Sequence, residues 1–387
     1  MRMLMVASVA SMIGQFNMEN IRTLLNLGYD VEVAANFLVG SSCSDDAISD
    51  IRKELSSLGV TIHHVDFSRS AFSLVSHFRT YQHLRHLLYA NSYSFVHCHA
   101  PIASAIVRLA AYATRTPVMY TAHGFHFFKG ARPVAWLTYY PLELLLSRIT
   151  DTLITINAED YNLAKAKMHM SNLHYVPGVG IDCKKISQHG SLREKVREEL
   201  GVGPEDIVLM SVGELNRNKN HKIVLEAMRL LNNDRIKYFI VGQGLLRSEL
   251  EQTIAQDQLS GSVVLLGYRD DVYRLLAGAD IFVLPSLREG LCVAGLEAMA
   301  AGLPIIGSKI RGVEDYVADQ RTGLLCNPYD KKSFAGAIRI LSMNAKMRDS
   351  FGDAARQDVA SKFSIGVVNT LMQQIYRGIG NHDNIQE

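Results

Sequence analysis

The chain switches between two kinds of segment, and it does so in two successive series. RMLMVASV, DVEVAAN, VTIHHVD, SFVHCHA, PVMYTAH and TLITIN are short runs rich in β-branched and aliphatic residues, with helical patterns between them. After YVPGVGID (Tyr175 to Asp182) comes a polar stretch, Lys184 to Glu199, without such runs. A second series follows: IVLMSVGEL, IKYFIVGQG, VVLLGY, IFVLPS and LPIIGS. Short β-rich runs joined by helices of about 10–15 residues are βαβ units, which build parallel sheets with helices on both faces. The expected fold is therefore α/β: two Rossmann-like, doubly wound parallel-sheet domains, 1–183 and 184–363. The stretch 184–199 is read as their partly helical connection. Segment 364–387 carries an amphipathic pattern and is expected to pack back on the first domain. Two such domains facing each other leave a cleft at the carboxyl ends of their strands, where open α/β sheets bind ligands.

A chain of 387 residues exceeds one ordinary core, in line with two domains. A net charge of +2 gives no global reason to expect a nucleic-acid partner. Cys43, Cys98, Cys183, Cys292 and Cys326 are scattered, odd in number and lack C-x-x-C spacing. That pattern argues against a disulfide framework or a zinc site and fits a reducing cytoplasm. MRMLMVASVASMI has the look of a short signal peptide, but the first βαβ unit needs it as its opening strand. No apolar run reaches the ~18 residues that span a bilayer.

From Phe67 to Arg148 the basic residues Arg69, Arg79, Arg85, Arg108, Arg115, Lys129, Arg132 and Arg148 face a single acid, Glu143. Histidines and aromatics are interleaved, among them His77, His83, His86, Phe72, Phe78, Tyr81, Tyr89, Trp136, Tyr139 and Tyr140. This mixture suits an anionic membrane surface; a solvated basic face over ordinary core aromatics is the alternative.

The most informative local pattern is LPSLREGLCVAGLEAMAAGLPII, in which Glu289 lies just before a small-residue helix and Glu297 inside it. Eight helical residues rise about 12 Å. That exceeds the ~5–9.5 Å separation of a hydrolytic carboxylate pair. Two acceptors so placed suit an elongated ligand with hydroxyls at both ends. The helix N-terminus between them, beginning near Leu291, favours a phosphate. A sugar–diphosphate–ribose has that layout. In SVGELNRNKNH, Gly213 lets the backbone turn at a strand end, and Arg217 and Lys219 follow as cations for a diphosphate. Gly242 and Gly244 mark another strand end, and Tyr268 and Arg269 a third, where a base can be read through the backbone. Gly14 is placed in the loop after the first strand, open to close approach. YTAHGFHFFKG presents His123 and His126 after a strand, and His97 and His99 share one strand face. A zinc site would need a third ligand that is not apparent, and no Asp-x-Asp metal clamp occurs.

These residues together resemble the family 4 glycosyltransferases, retaining enzymes of the GT-B fold. The resemblance rests on E-x7-E at Glu289 and Glu297, on VGELNRNKNH and on YVPGVGID, and it runs along almost the whole chain. YTAHGFHFFKGA and TDTLITINAEDYNLA are similar to segments of bacterial capsule and exopolysaccharide enzymes. The resemblance implies a nucleotide-sugar donor, with a family lean towards UDP, and neither metal nor other cofactor. It assigns Glu289, with Gly290, Leu291, Cys292 and Val293, to the donor sugar and helix N-terminus, and Glu297 to the ribose. Lys219 matches the diphosphate lysine, His123 the histidine near the reacting centre, and Gly14 the glycine beside the donor phosphates. The family often has arginine after the glycine matching Gly213; here Glu214 stands there, and Arg217 is the candidate replacement. His126 and Lys129 are candidates for the acceptor, expected to be a glycan on a polyprenyl diphosphate at the inner face of the cytoplasmic membrane. Rival readings are another GT-B enzyme, such as a sugar-nucleotide epimerase, and a non-enzymatic nucleotide-sugar-binding protein at the membrane.

Overall fold

The computed structural model describes residues 1–39, 44–68 and 73–380; Cys43, Arg69 and Phe72 lie outside the described residues. The chain divides into two compact units, Met1–Val179 with the segment from Val368 onward, and Gly180–Val367.

Unit 1 runs β1 (Arg2–Val9), α1 (Ala10–Phe16), α2 (Met18–Asn26), β2 (Asp30–Asn36), α3 (Asp45–Ser57), β3 (Thr61–His64) and α4 (Leu74–Asn91). It continues through β4 (Phe95–His99), α5 (Pro101–Thr114), β5 (Val118–Ala122), α6 (Pro133–Ser147), β6 (Thr152–Thr155), α7 (Ala158–Lys167) and β7 (Asn172–Tyr175). The strand order is β3-β2-β1-β4-β5-β6-β7, with parallel pairing throughout. β1 and β4 are buried on both faces, so they read as continuous apolar runs rather than alternating ones.

Unit 2 opens with α8 (Cys183–Ser187), a tight turn at Gly190–Leu192 and α9 (Arg193–Glu199). Then come β8 (Ile207–Val212), α10 (His221–Leu231), β9 (Ile236–Val241), α11 (Arg247–Gln256), β10 (Val263–Gly267), α12 (Val272–Gly278) and β11 (Ile281–Leu284). The unit ends with α13 (Val293–Ala300), β12 (Ile305–Ser308), β13 (Gly323–Cys326), α14 (Lys331–Met343) and α15 (Ala345–Asp358). Its parallel sheet is ordered β10-β9-β8-β11-β12-β13. The final helix, α16 (Ile365–Gly380), places Val368, Met372, Ile375 and Tyr376 in the core of unit 1.

Three features depart from expectation. The polar stretch 184–199 is not a free connection. Val196 is fully buried in the core of unit 2, and Arg193 and Arg197 clamp Asp280 at 2.5 and 3.1 Å. Gly14 lies within α1 rather than in a loop, and a Cβ there would meet Ile51 Cδ1 of α3 at 2.5 Å. Its smallness therefore serves helix packing. Arg108 is not part of a basic surface: it is buried and holds Glu143 through two hydrogen bonds of 2.8 and 3.0 Å, with its guanidinium over the Tyr120 ring.

Candidate functional site

The loop after β8 is built by its asparagines. In Asn216-Arg217-Asn218-Lys219-Asn220-His221 every second residue is a staple. Asn216 Oδ1 accepts from the Lys219 N–H at 3.0 Å. Asn218 Nδ2 donates to Arg288 O at 2.9 Å. Asn220, in the left-handed region at φ 51°, donates to Pro285 O and Pro328 O. The residues between the staples are the basic ones. Lys219 is thereby brought against the segment preceding α13, 70 positions further along the chain.

There Lys219 Nζ donates to Glu289 Oε1 at 2.7 Å, with Cys292 Sγ at 3.9 Å, and the two charged side chains are only 18% and 12% exposed. Burial works against the ammonium, but Cys292 and Glu289 outweigh it and its pKa is raised. Burial also pushes the Cys292 thiol up to about 11. The thiol is thus neutral near pH 7, and Glu289 is the partner that holds the lysine charge there. Gly213 is needed for this contact, because a Cβ on it would press on Lys219 Cε at 3.0 Å. Gly242 backs it from the next strand end, where a Cβ would fall 2.0 Å from Gly213 O.

Gly290, Leu291 and Cys292 lead from Glu289 into α13, which begins at Val293, two residues later than the sequence suggests. No side chain caps this helix, so its first N–H groups and the positive end of its dipole are open to an anion. Glu297 lies in the second turn and accepts from Tyr273 OH at 3.0 Å. Burial pushes its carboxyl up to about 7, against the opposing pull of the Tyr273 hydrogen bond. Glu289 and Glu297 are therefore distinct acceptors, one tied to a cation and one to a phenol.

The other candidates of unit 2 are more loosely held. Arg217 is exposed and forms no ion pair among the described residues. Glu214 is exposed and accepts from Asn216. The Arg269 side chain is committed elsewhere, with both its Nε and Nη2 on Asp271 at 2.7 Å and a further contact to Glu199. The Arg269 guanidinium holds the Asp271 carboxyl down at about 2. Tyr268 beside it is exposed.

In unit 1, His97 and His99 do share one face of β4, with ring centroids 4.2 Å apart. His97 is bonded to Tyr376 OH and Thr121 Oγ1. His99 Nδ1 lies 3.1 Å from His123 Nε2, and His99 Nε2 lies 3.2 Å from Met5 Sδ. Burial lowers all three imidazole pKa values, to about 3 for His97, about 4 for His123 and well below the usual value for His99. A thioether can only accept, so the proton of neutral His99 sits on Nε2 and its Nδ1 is bare. His123 Nε2–H then donates to that nitrogen, and His123 Nδ1 is left as an acceptor. A neutral acceptor suits a ligand hydroxyl; it is not a general acid.

The loop beyond His123 is fastened from below. The Phe125 N–H donates to Asp160 Oδ2 at 2.8 Å and the Lys129 N–H to Glu159 Oε1 at 2.6 Å. The His126 ring lies 4.8 Å from that of Tyr139, and Trp136 Nε1 donates to Phe128 O. The sequence reading missed the three stapling asparagines, Tyr273 and Met5. Alternate asparagines in a polar loop were a usable signal, whereas nothing local marks Tyr273 or Met5. Among the described residues no group of three or more His, Cys, Asp or Glu side chains is placed to hold a metal ion.

Two Rossmann-like units, one carrying a cation beside an uncapped helix at the carboxyl end of its sheet, are the architecture of the GT-B transferases. The chain aligns over 98% of its length with the crystal structure of Anabaena HepE in complex with UDP (TM-score 0.78, 18% identity, all of that chain covered). The lipopolysaccharide glycosyltransferase WaaG matches 97% of it (TM-score 0.71, 17% identity, 99% of that chain covered). Residues 193–358 match the family description "Glycosyl transferases group 1", and residues 13–177 "Glycosyl transferase 4-like domain". The putative glycosyltransferase EpsD of Bacillus subtilis is 31% identical, with 97% of this chain and 96% of that one covered. The Escherichia coli UDP-Gal:alpha-D-GlcNAc-diphosphoundecaprenol alpha-1,3-galactosyltransferase is also 31% identical, over 76% of this chain and 77% of that one. This chain belongs to the family 4 glycosyltransferases.

Proposed function

We propose that the protein transfers a hexose from a UDP-sugar, with retention at the anomeric carbon, to a glycan carried on a polyprenyl diphosphate. The observation that carries this reading is the Lys219–Glu289 pair beside the uncapped start of α13. Lys219 is the cation for the departing diphosphate, helped by the helix N–H groups of Val293 and its neighbours and by Arg217, which replaces the arginine that the family often has where Glu214 stands. Glu289 accepts from donor-sugar hydroxyls while its charge is balanced by Lys219. Glu297 accepts from the ribose, with Tyr273 holding its carboxyl. The base lies along the backbone near Tyr268 and Arg269.

His123, through its bare Nδ1, accepts from a sugar hydroxyl near the reacting centre, and His126 and Lys129 meet the acceptor. Departure of UDP and attack by the acceptor hydroxyl on the same face need no protein nucleophile. Positioning and charge stabilisation carry the rate. The name of the Escherichia coli relative specifies a UDP-galactose donor and a diphosphoundecaprenol-linked acceptor, and the Anabaena structure holds UDP; both support the substrate classes chosen. A lipid-linked acceptor sets the place of work at the inner face of the cytoplasmic membrane, with the protein peripheral to it.

The test is a thermal-shift screen across nucleotide sugars, since a ligand at 100 times its Kd adds about 2.7 kcal/mol of stability. The best UDP-sugar is then assayed with diphosphate-linked acceptors, and the anomeric configuration of the product is read by NMR. Stabilisation only by other nucleotides overturns the base assignment, and an inverted product overturns the stereochemistry. Glu297→Ala should weaken donor binding by calorimetry; unchanged affinity removes the ribose role.

A further inference from the structure

Helix α6 (Pro133–Ser147) has two unlike faces. At about 100° per residue, Trp136, Tyr139, Tyr140, Glu143 and Leu146 point one way, and all are engaged. Trp136 and Tyr140 pack on Phe127, Tyr139 lies against His126, and Glu143 holds the buried Arg108. The opposite face spans an arc of about 140° and is apolar, yet it is exposed. Val134 is 64%, Leu137 76%, Leu142 47% and Leu145 61% exposed, with Thr138 and Pro141 between them. The Thr138 hydroxyl is satisfied by Val134 O at 2.8 Å, so the stripe contains no side-chain polar group that needs water. Exposed basic residues, Lys129, Arg132 and Arg148, stand at its two ends, and the one acid between them, Glu143, is buried on the far face.

A fifteen-residue helix is about 22 Å long, short of the ~30 Å hydrocarbon core, and no described helix is long and apolar enough to cross a membrane. Pro141, exposed within the helix, has no N–H, so the Leu137 carbonyl lacks its helical donor. Such a carbonyl is tolerated among hydrated headgroups and disfavoured in hydrocarbon. An apolar stripe with basic ends and one carbonyl without its i+4 donor thus matches the interface of a bilayer rather than its interior. A second copy of the chain fits less well, because antiparallel pairing of two such stripes brings Arg132 of one towards Arg148 of the other with no exposed acid between.

We propose that the outward face of α6 is the membrane-docking surface. The helix lies in the headgroup plane of an anionic bilayer, with Val134, Leu137, Leu142 and Leu145 towards the acyl chains and Lys129, Arg132 and Arg148 on lipid phosphates. The inner face of the same helix anchors the loop of His126 and Lys129, so docking fixes the depth of that loop. The proposal rests on the lipid-linked acceptor reading and names the element that serves it.

The experiment is flotation of the full chain with vesicles of phosphatidylglycerol mixed with phosphatidylcholine and with phosphatidylcholine alone, using wild type, Leu137→Gln/Leu145→Gln and Arg132→Gln/Arg148→Gln. Both variants alter exposed side chains, and an unchanged unfolding midpoint verifies their fold. The leucine pair should lower partition onto the anionic vesicles at least about tenfold. It should also slow transfer to a vesicle-embedded acceptor while leaving transfer to a short-chain, water-soluble diphosphate acceptor at wild-type rate. Wild-type partition in the leucine pair overturns the α6 assignment and leaves the acceptor reading standing. Loss of partition with no transfer by wild type to any lipid-linked acceptor overturns that reading and leaves α6 standing. Loss only in the arginine pair means adsorption by charge alone and overturns insertion. A wild-type dimer in solution that the leucine pair dissociates makes the stripe a self-association face and overturns docking, as does a wild type that floats with neither vesicle.

Discussion

Replacing Lys219 by methionine keeps the side-chain stem and removes the charge, which separates the electrostatic role from packing. Its ammonium lies 2.7 Å from Glu289, with the two side chains 18% and 12% exposed. A hydrogen bond between charged groups contributes about 1.5–3 kcal/mol, and the residual solvent access places this one at about 2 kcal/mol. In a unit of this size 1 kcal/mol moves the midpoint by about 2–4 °C, so Lys219→Met should lower the transition of unit 2 by about 4–8 °C. Glu289→Gln should cost a similar amount. The double variant should cost about 1–2 kcal/mol less than the sum, because each single change strands the other partner. Catalysis should suffer more: loss of one charge that stabilises the leaving group costs about 100-fold or more in turnover. Calorimetry on the four proteins of the cycle and initial rates of nucleoside diphosphate release provide both readings. Strictly additive midpoints would refute the pair, and wild-type turnover in a folded Lys219→Met would refute the leaving-group role.

Burial pushes the Glu297 carboxyl up to about 7, above its unfolded value of about 4.5. Its contribution to stability is therefore full below about 4.5 and lost as pH rises through about 7. Glu297→Gln should gain on wild type in midpoint as pH rises across that window; a difference that does not vary with pH refutes the shift. The buried histidines have the opposite sign. His97 and His123 are lowered to about 3 and about 4 by burial, so unit 1 is fully stabilised above about 6.5 and loses stability as pH falls through the range down to about 3. Urea unfolding of a His97→Asn variant should show a shallower loss, and an unchanged slope would clear His97 of that role. Arg108→Met leaves Glu143 buried without its partner and should cost about 3–5 kcal/mol, most of which Arg108→Met/Glu143→Leu should recover. Equal instability in the double variant would show that packing, not charge, is what Arg108 supplies.

Much of the fold was legible because its carriers are local. β1, β2, β4, β5, β8, β9 and β11 are buried runs bounded by turn residues, and their spacing requires helical crossovers. The edge strands β7 (Asn172–Tyr175) and β13 (Gly323–Cys326) were not read. Each is four residues long and only partly buried, so it lacks the continuous apolar signature of the central strands. Gly14 was misplaced for a related reason: a glycine after a strand reads as a loop, and only the neighbouring Ile51 shows why a helix needs it there.

The sequence by itself determined two parallel α/β units, the loops at the ends of their strands, and the residue types those loops present: Gly213, Lys219, Glu289, Glu297 and His123. These follow from periodicity and turn chemistry, which act over a few residues. Only the tertiary structure decided the pairings. Lys219 meets Glu289 across 70 positions, Arg108 meets Glu143 across 35, and His123 meets His99 across 24. It also decided which face of α6 stays in the open, since inward and outward residues of that helix are almost equally apolar. The physical reason is the same in each case. Which charge is neutralised, which nitrogen keeps its proton and which leucine remains exposed depend on what the sheet order brings alongside, and strand order is a property of the whole chain.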